Sequence, residues 1–376
     1  MIHRNQKHHH ENHHNEGKTT VSSQTSPGRT LYVGSFTSER TMSGDGVTAL
    51  AVSPGAAEFR TLGHTASRGC PNFLALHPEE DFVYATSETP EGGVYTYAIR
   101  SDGSLELRSE QQTTSNPAHI AVGRVGESLF AVTSSYWDGY FGVHRILHDG
   151  TVGPLLSTID RNAVGDDGVR PTSRAHCSVF APSGRFVIAT DLGQDQVITY
   201  QIDEASGELS QLNAFDCEPG TGPRHLAWHP DGRVFVSGEL SGTISVFRVD
   251  DETGELTLLE RRDSRADPAD PELASPPAQP SEIALSHGGR FVHIGNRQLD
   301  VISTFSTTGD TLEPVSDTPT GGKIPRHFAV VDDEMYVGNQ DSDSLVAFHV
   351  DPDNGHLERF GAAAVTPSIA CVVVRR

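Results

Sequence analysis

Seven short apolar runs recur along the chain, each opening on a related hexapeptide. They are PNFLAL from Pro71, PAHIAV from Pro117, RAHCSV from Arg174, PRHLAW from Pro223, PSEIAL from Pro280, PRHFAV from Pro325 and PSIACV from Pro367, with starts 42 to 57 residues apart. Most are followed by a turn and a second apolar run, as in HPEEDFVYATSE, APSGRFVIATDL, HPDGRVFVSGEL and SHGGRFVHIGNR. The Asp-Gly, Ser-Gly and Gly-Gly pairs at these junctions supply the positive φ angles that tight hairpins need. A third run (GGVYTYAI, DQVITYQI, GTISVFRV, DSLVAFHV) precedes a polar turn such as DETGEL and a weaker fourth run. Four short strands in each repeat predict a β-propeller blade, and no segment carries an amphipathic helical period.

The chain ends fit the same pattern. The seventh hexapeptide has no second strand after it, whereas TLYVGSFT at Thr30 to Thr37 is a second strand with no first strand before it. Joining the two closes the ring and removes the edges an open array would expose. The expected fold is therefore all-β, a seven-bladed β-propeller closed by pairing of its N- and C-terminal strands and spanning residues 30–376. Residues 1–29 hold six of the 19 histidines and almost nothing apolar. Such a segment cannot offset its ordering entropy and is expected to be a disordered tail. Asp263 to Pro280 and Arg161 to Arg174 are too rich in Pro, Asp and Gly for strands and read as long surface loops.

Charge and composition narrow the function. Fifty acidic against 28 basic side chains leave a formal charge of −22, which disfavours nucleic acid as a partner. The longest apolar stretch, Ile369 to Val374, is too short to cross a bilayer. The N-terminus has no apolar run of the secretory kind, so a cytoplasmic protein is expected. Four scattered cysteines without a CxxC pair argue against a disulfide framework or a structural zinc, and no metal or cofactor is expected. GxSxG does not occur, against an α/β-hydrolase, and the one HExxH match, His10 to His14, falls in the polar N-terminal segment without a helical apolar period, so it does not point to a zincin.

In a propeller the first strand of each blade lines the central channel, so matched positions form rings. The third residues of the seven hexapeptides are Phe73, His119, His176, His225, Glu282, His327 and Ile369, and Arg224 and Arg326 stand at the second position. A second polar set closes the second strands: Glu88, Tyr136, Asp191, Glu239, Asn296, Arg297, Asn339 and Gln340. Convergent polar groups in a concave site mark a ligand pocket. The motifs NFLALHP, AHC, PRHLAWHPDG, GEL, GNR and PRHFAV…GNQDSDS together resemble the seven-bladed lactonase family, which includes propeller-type 6-phosphogluconolactonases and fungal 3-carboxymuconate lactonising enzymes. The resemblance covers residues 30 to 374 and implies metal-independent chemistry, with catalytic residues falling on His176, Arg224, Glu239 and Arg297.

Those residues suit a lactone with an anionic substituent. Histidine titrates near neutrality and can activate water. Glu239 is expected to orient or charge-balance His176, or to act as the base itself. Arg224 and Arg297 offer planar forks for phosphate or carboxylate. Arg326, His327, His119, Glu282 and Asn339 complete the expected substrate-binding set, although each lone histidine on an inner strand also has a structural reading, preferred for His119, His225 and His327. Cys177, next to His176, should point to the opposite face and pack. The function expected is hydrolysis of a sugar-acid lactone, above all 6-phospho-D-glucono-1,5-lactone. A carboxymuconate-type cycloisomerase and a non-catalytic binding scaffold are the alternatives. The family usually has Asn where Gly238 stands and Asn-Tyr followed by Gly where this chain has SSYWDGYFG.

Overall fold

The computed structural model of the chain describes residues 1, 28–65, 69–162, 172–270 and 277–376. The tail expected to be disordered lies almost wholly outside the described residues, as do the centres of the two long loops. The described residues form seven four-stranded antiparallel sheets and two short 3-10 turns. The repeat read from the sequence is thus the blade, and each hexapeptide forms or leads into an innermost strand.

The first sheet is built from both ends of the chain. Arg29–Ser35 pairs antiparallel with Ile369–Arg375, with Leu31 opposite Val374 and Val33 opposite Val372. Gly34 lies opposite Cys371 in that pairing. A methyl group on Gly34 would run into the backbone carbonyl of Pro71 in the next blade. Gly34→Ala is therefore expected to cost about 1–3 kcal/mol, the usual range for overpacking a filled interior, seen as a lower midpoint in chemical denaturation at unchanged slope.

The hydrophobic core is divided among the gaps between blades. Among the described residues, seven large clusters of buried side chains fill the seven inter-blade interfaces, and a small eighth joins Phe36, Cys70 and Ala370. Phe130, Val132 and Phe141 of one blade, for example, meet Ala189, Ile198 and Tyr200 of the next, and Leu31 and Val33 meet Tyr336 and Leu345 across the ring closure. Cys177 lies in one such cluster with Ile188 and Leu226. The polar turns before the fourth strands tie the blades together. Tyr32 and Tyr84 each donate their hydroxyl to the carbonyl of a glycine in the following blade, Gly103 at 3.0 Å and Gly150 at 2.8 Å. Both glycines hold positive φ angles, +84° and +80°.

The inner strands are not regular where the hexapeptides begin. In six blades the pairing between first and second strands slips by one residue just after the strand starts. The residues passed over are Ala118, His176, Arg224 with His225, Ser281 with Glu282, Arg326 and Ala370. A bulge of this kind leaves one residue out of the ladder and re-aims its side chain. Proline suits the first position because an edge strand's first residue can forgo its N–H.

Candidate active site

One end of the channel opens into a cavity of ≈ 210 Å³, and the bulges supply its wall: Ala118, His176, Arg224, His225, Arg326 and Ala370 all line it. Strict alternation along a strand would send Arg224 and His225, or Arg326 and His327, to opposite faces. The extra residue lets both members of each pair reach the cavity. Glu88, Tyr136, Glu239 and Arg297 come from the ends of second strands or the turns that follow, and Arg40, Asn72, Phe73 and Trp137 complete most of the lining.

Six of the nine residues singled out from the sequence meet here: His176, Arg224, Glu239, Arg297, Arg326 and His327. The other three lie off the wall. The bulge puts Ala118 rather than His119 on the surface, and the His119 ring packs tilted against Phe73, with ring centroids 4.1 Å apart. Glu282 is drawn beneath the cavity, where its Oε2 lies 2.8 Å from His225 Nδ1 and 2.9 Å from His327 Nε2. Asn339 is fully buried against Gly322 and Ser344, its Nδ2 donating to Ser344 Oγ at 3.4 Å.

Glu239 does not orient His176. Its Oε2 sits between two guanidinium groups, 2.9 Å from Arg224 Nε and 2.9 Å from Arg297 Nη2. Burial would raise this carboxyl, but the two arginines outweigh it and hold it below its ordinary value. A carboxylate held in this way makes a poor base and serves to keep two cations side by side. Arg224 is almost completely buried, and its Nε and Nη1 have no aligned hydrogen-bond acceptor despite the nearby charge. Desolvation, then Arg297, pulls it down to about 9. Arg326 is lowered to about 10 by the same two causes, with its guanidinium 4.6 Å over the Phe36 ring.

Buried donors without acceptors are costly, so this corner of the cavity is electrostatically suited to an anion. Four arginines line a cavity that holds two carboxylates, Glu239 and Glu88, the latter paired with Arg40 Nη1 at 2.6 Å. That local excess of positive charge stands inside a chain of net charge −22.

The cavity imidazoles are shaped by burial. His176 is pushed well below its ordinary value by desolvation and then by Arg224, and its Nδ1 is buried without a partner. His225 is lowered to about 4 by desolvation and Arg224, against the pull of Glu282. For His327, burial pulls down while Cys371 and Glu282 pull up. The Val372 N–H donates to its Nδ1 at 3.3 Å, so a single hydrogen on Nε2, facing Glu282, satisfies both neighbours and the ring is neutral.

Arg40 and Trp137 were not singled out in the sequence. Arg40 sits on the short 3-10 turn Ser38–Arg40 after the first strand. Trp137, half exposed, lies between the guanidinium groups of Arg40 and Arg174, at 5.7 and 5.1 Å. Arg40 lies in a turn outside the repeat, and Trp137 directly follows Tyr136, at a repeat position that holds Leu240 and Gln298 in two other blades, so no shared polar residue marks it. Among the described residues, one group of His and carboxylates is spaced to hold a metal ion, His77, Glu79 and Asp81. It occupies a hairpin turn and none of its members lines the cavity.

Residues 30–374 match the family model described as Lactonase, 7-bladed beta-propeller. The 6-phosphogluconolactonase of Bacillus subtilis (strain 168) is 27% identical over 315 residues, covering 82% of this chain and 88% of that protein. Among solved structures, a Lactobacillus plantarum protein superposes with a TM-score of 0.82 at 27% identity, covering 93% of this chain and all of that one. The periplasmic gluconolactonase PpgL of Pseudomonas aeruginosa gives 0.80 at 25% identity, covering 92% and 99%.

Proposed function

The chain belongs to the seven-bladed β-propeller lactonase family of lactone hydrolases, and we propose that its substrate is 6-phospho-D-glucono-1,5-lactone, opened to 6-phosphogluconate in the channel cavity. The observation that carries this reading is the Arg224–Glu239–Arg297 cluster. Two buried guanidinium groups share one carboxylate, and Arg224 Nη1 is left without an acceptor, which suits the oxyanion that develops when water adds to a lactone carbonyl. Arg326 and Arg40, nearer the Phe36 and Trp137 rings, suit the distal phosphate. Proton transfer falls to the neutral imidazoles on the wall. The relative from Bacillus subtilis bears the name of this activity.

Such a substrate carries charges that keep it from crossing membranes, so we place the protein in the cytoplasm, serving the oxidative branch of sugar-phosphate metabolism. No helix among the described residues is long and apolar enough to cross a membrane.

The test is the rate of opening of freshly generated 6-phosphogluconolactone, above its spontaneous hydrolysis, with and without a chelator. The expected result is acceleration that survives chelation. No acceleration, with turnover of a carboxymuconate instead, would move the chain to the cycloisomerase branch, and neither activity would leave a binding scaffold.

A further inference from the structure

His176 and His225 stand side by side, with ring centroids 5.1 Å apart and planes at 66°, yet their surroundings fix opposite hydrogen-bonding faces. His225 Nδ1 lies 2.8 Å from Glu282 Oε2. A carboxylate accepts only, so the hydrogen of the neutral ring belongs on Nδ1 and the lone pair is left on Nε2. Glu282 lies beneath the cavity and His225 on its wall, so Nε2 is the nitrogen left for a ligand. The carboxylate is itself anchored from the other side by His327 Nε2 at 2.9 Å, and that ring by the Val372 N–H. His176 has no such partner. Its Nδ1 is buried with nothing to receive a proton, which places the ring hydrogen on Nε2.

We propose that His225, held by Glu282 as a positioning residue, is the group that accepts the proton from the attacking water, and that His176 acts beside it as a hydrogen-bond donor. This assignment rests on the lactonase reading and reverses the role expected of His176 from the sequence. As the water O–H bond breaks, its proton passes to His225 Nε2 and the water oxygen bonds to the lactone carbonyl carbon. The carbonyl electron pair moves onto its oxygen, facing Arg224 and Arg297. When that pair returns, the bond to the ring oxygen breaks, and the proton held on His225 goes to the departing oxygen. The imidazole is neutral again, and the new acid loses its proton to solvent. His176 donates through Nε2–H without transferring its hydrogen.

The groups facing His225 are Arg224, His119, His176, Glu282 and His327. Arg224 and the desolvated site lower its titration, and Glu282 raises it. The base works when unprotonated, so kcat/KM should rise with pH through an acid limb near 4 and be flat at neutrality. Glu282→Gln removes the raising charge and frees the tautomer. It should move that limb to lower pH and reduce kcat by at least tenfold with KM little changed, and Glu282→Asp should recover part of the loss.

The deciding experiment reads the tautomers directly, by long-range 1H–15N correlation of the histidine side chains in the full-length protein. Peaks are assigned with His225→Asn and His176→Asn, and circular dichroism checks the fold of each variant. We expect Nδ1–H at His225, Nε2–H at His176, and a loss of kcat of about 10²- to 10⁴-fold in His225→Asn, the range for a general base. The proposal is overturned by Nε2–H at His225 in an active enzyme, or by His225→Asn keeping turnover within threefold. Absence of lactone turnover by the unaltered protein would instead overturn the lactonase reading, and this role with it.

Discussion

Arg224→Met is expected to lower kcat/KM on the phosphorylated lactone by about 10²- to 10³-fold, or roughly 2.7–4 kcal/mol of transition-state stabilisation, the loss seen when one oxyanion donor is removed. The fold should tolerate it. Arg224 is a buried cation with two donors lacking aligned acceptors, so an apolar side chain of similar length removes a desolvation cost along with the attraction to Glu239. Glu239 keeps Arg297 at 2.9 Å. The melting temperature of Arg224→Met should therefore stay level or rise slightly.

Glu239→Gln is predicted to behave in the opposite way. It leaves Arg224 and Arg297 facing each other in a dry corner without their shared counter-charge, a change of the kind that costs about 3–5 kcal/mol. Kinetics and thermal unfolding of the two variants, measured together, separate a binding site from a structural ion pair. If both lost stability alike and Arg224→Met kept its activity, the cluster would be a clamp between blades.

The second large effect concerns closure. A chain ending before Ile369 should lose cooperative unfolding altogether. Ile369, Cys371 and Val372 are essentially inaccessible to solvent, and burial of three such side chains contributes roughly 5–9 kcal/mol at ~1.5–3 kcal/mol each, comparable to the whole stability of an ordinary domain. The truncation also strips the inner of two hydrogen-bond partners from Arg29–Ser35, which keeps only its pairing with Val47–Ser53, leaving an open edge at the channel wall that invites association. Calorimetry and light scattering would test this. A truncated monomer with a sharp transition within a few degrees of the full chain would show that the ring does not depend on its clasp.

Blade number and ring closure were legible because both are periodic. Pro71, Pro117 and Pro223 open hexapeptides in equivalent places, and the unmatched strands at Thr30 and Pro367 can only satisfy each other. The aligned positions also led to His176, Arg224 and Arg326. What periodicity does not carry is which neighbour a charged group meets across the ring. Glu282 occupies the same hexapeptide position as His176 yet turns under the cavity, because His225 and His327 from the two flanking blades converge on one of its oxygens. Glu239 turns away from His176 because two arginines, one from the inner strand of its own blade and one from the next blade, attract it more strongly. Arg40 belongs to a turn outside the repeat, so no aligned position announces it.

The one-residue bulges have a consequence for how such a protein can change over generations. Ala118, His176, Arg326 and Ala370 stand outside the ladder register, as does one residue in each of the pairs Arg224–His225 and Ser281–Glu282. Replacing His176, Arg224, His225 or Arg326, which line the cavity, alters what it recognises without shifting the strand beside it, and the large inter-blade clusters are built from other residues. The propeller thus separates heritable variation in chemistry from variation in fold, and lets one lineage try new substrates on an unchanged frame.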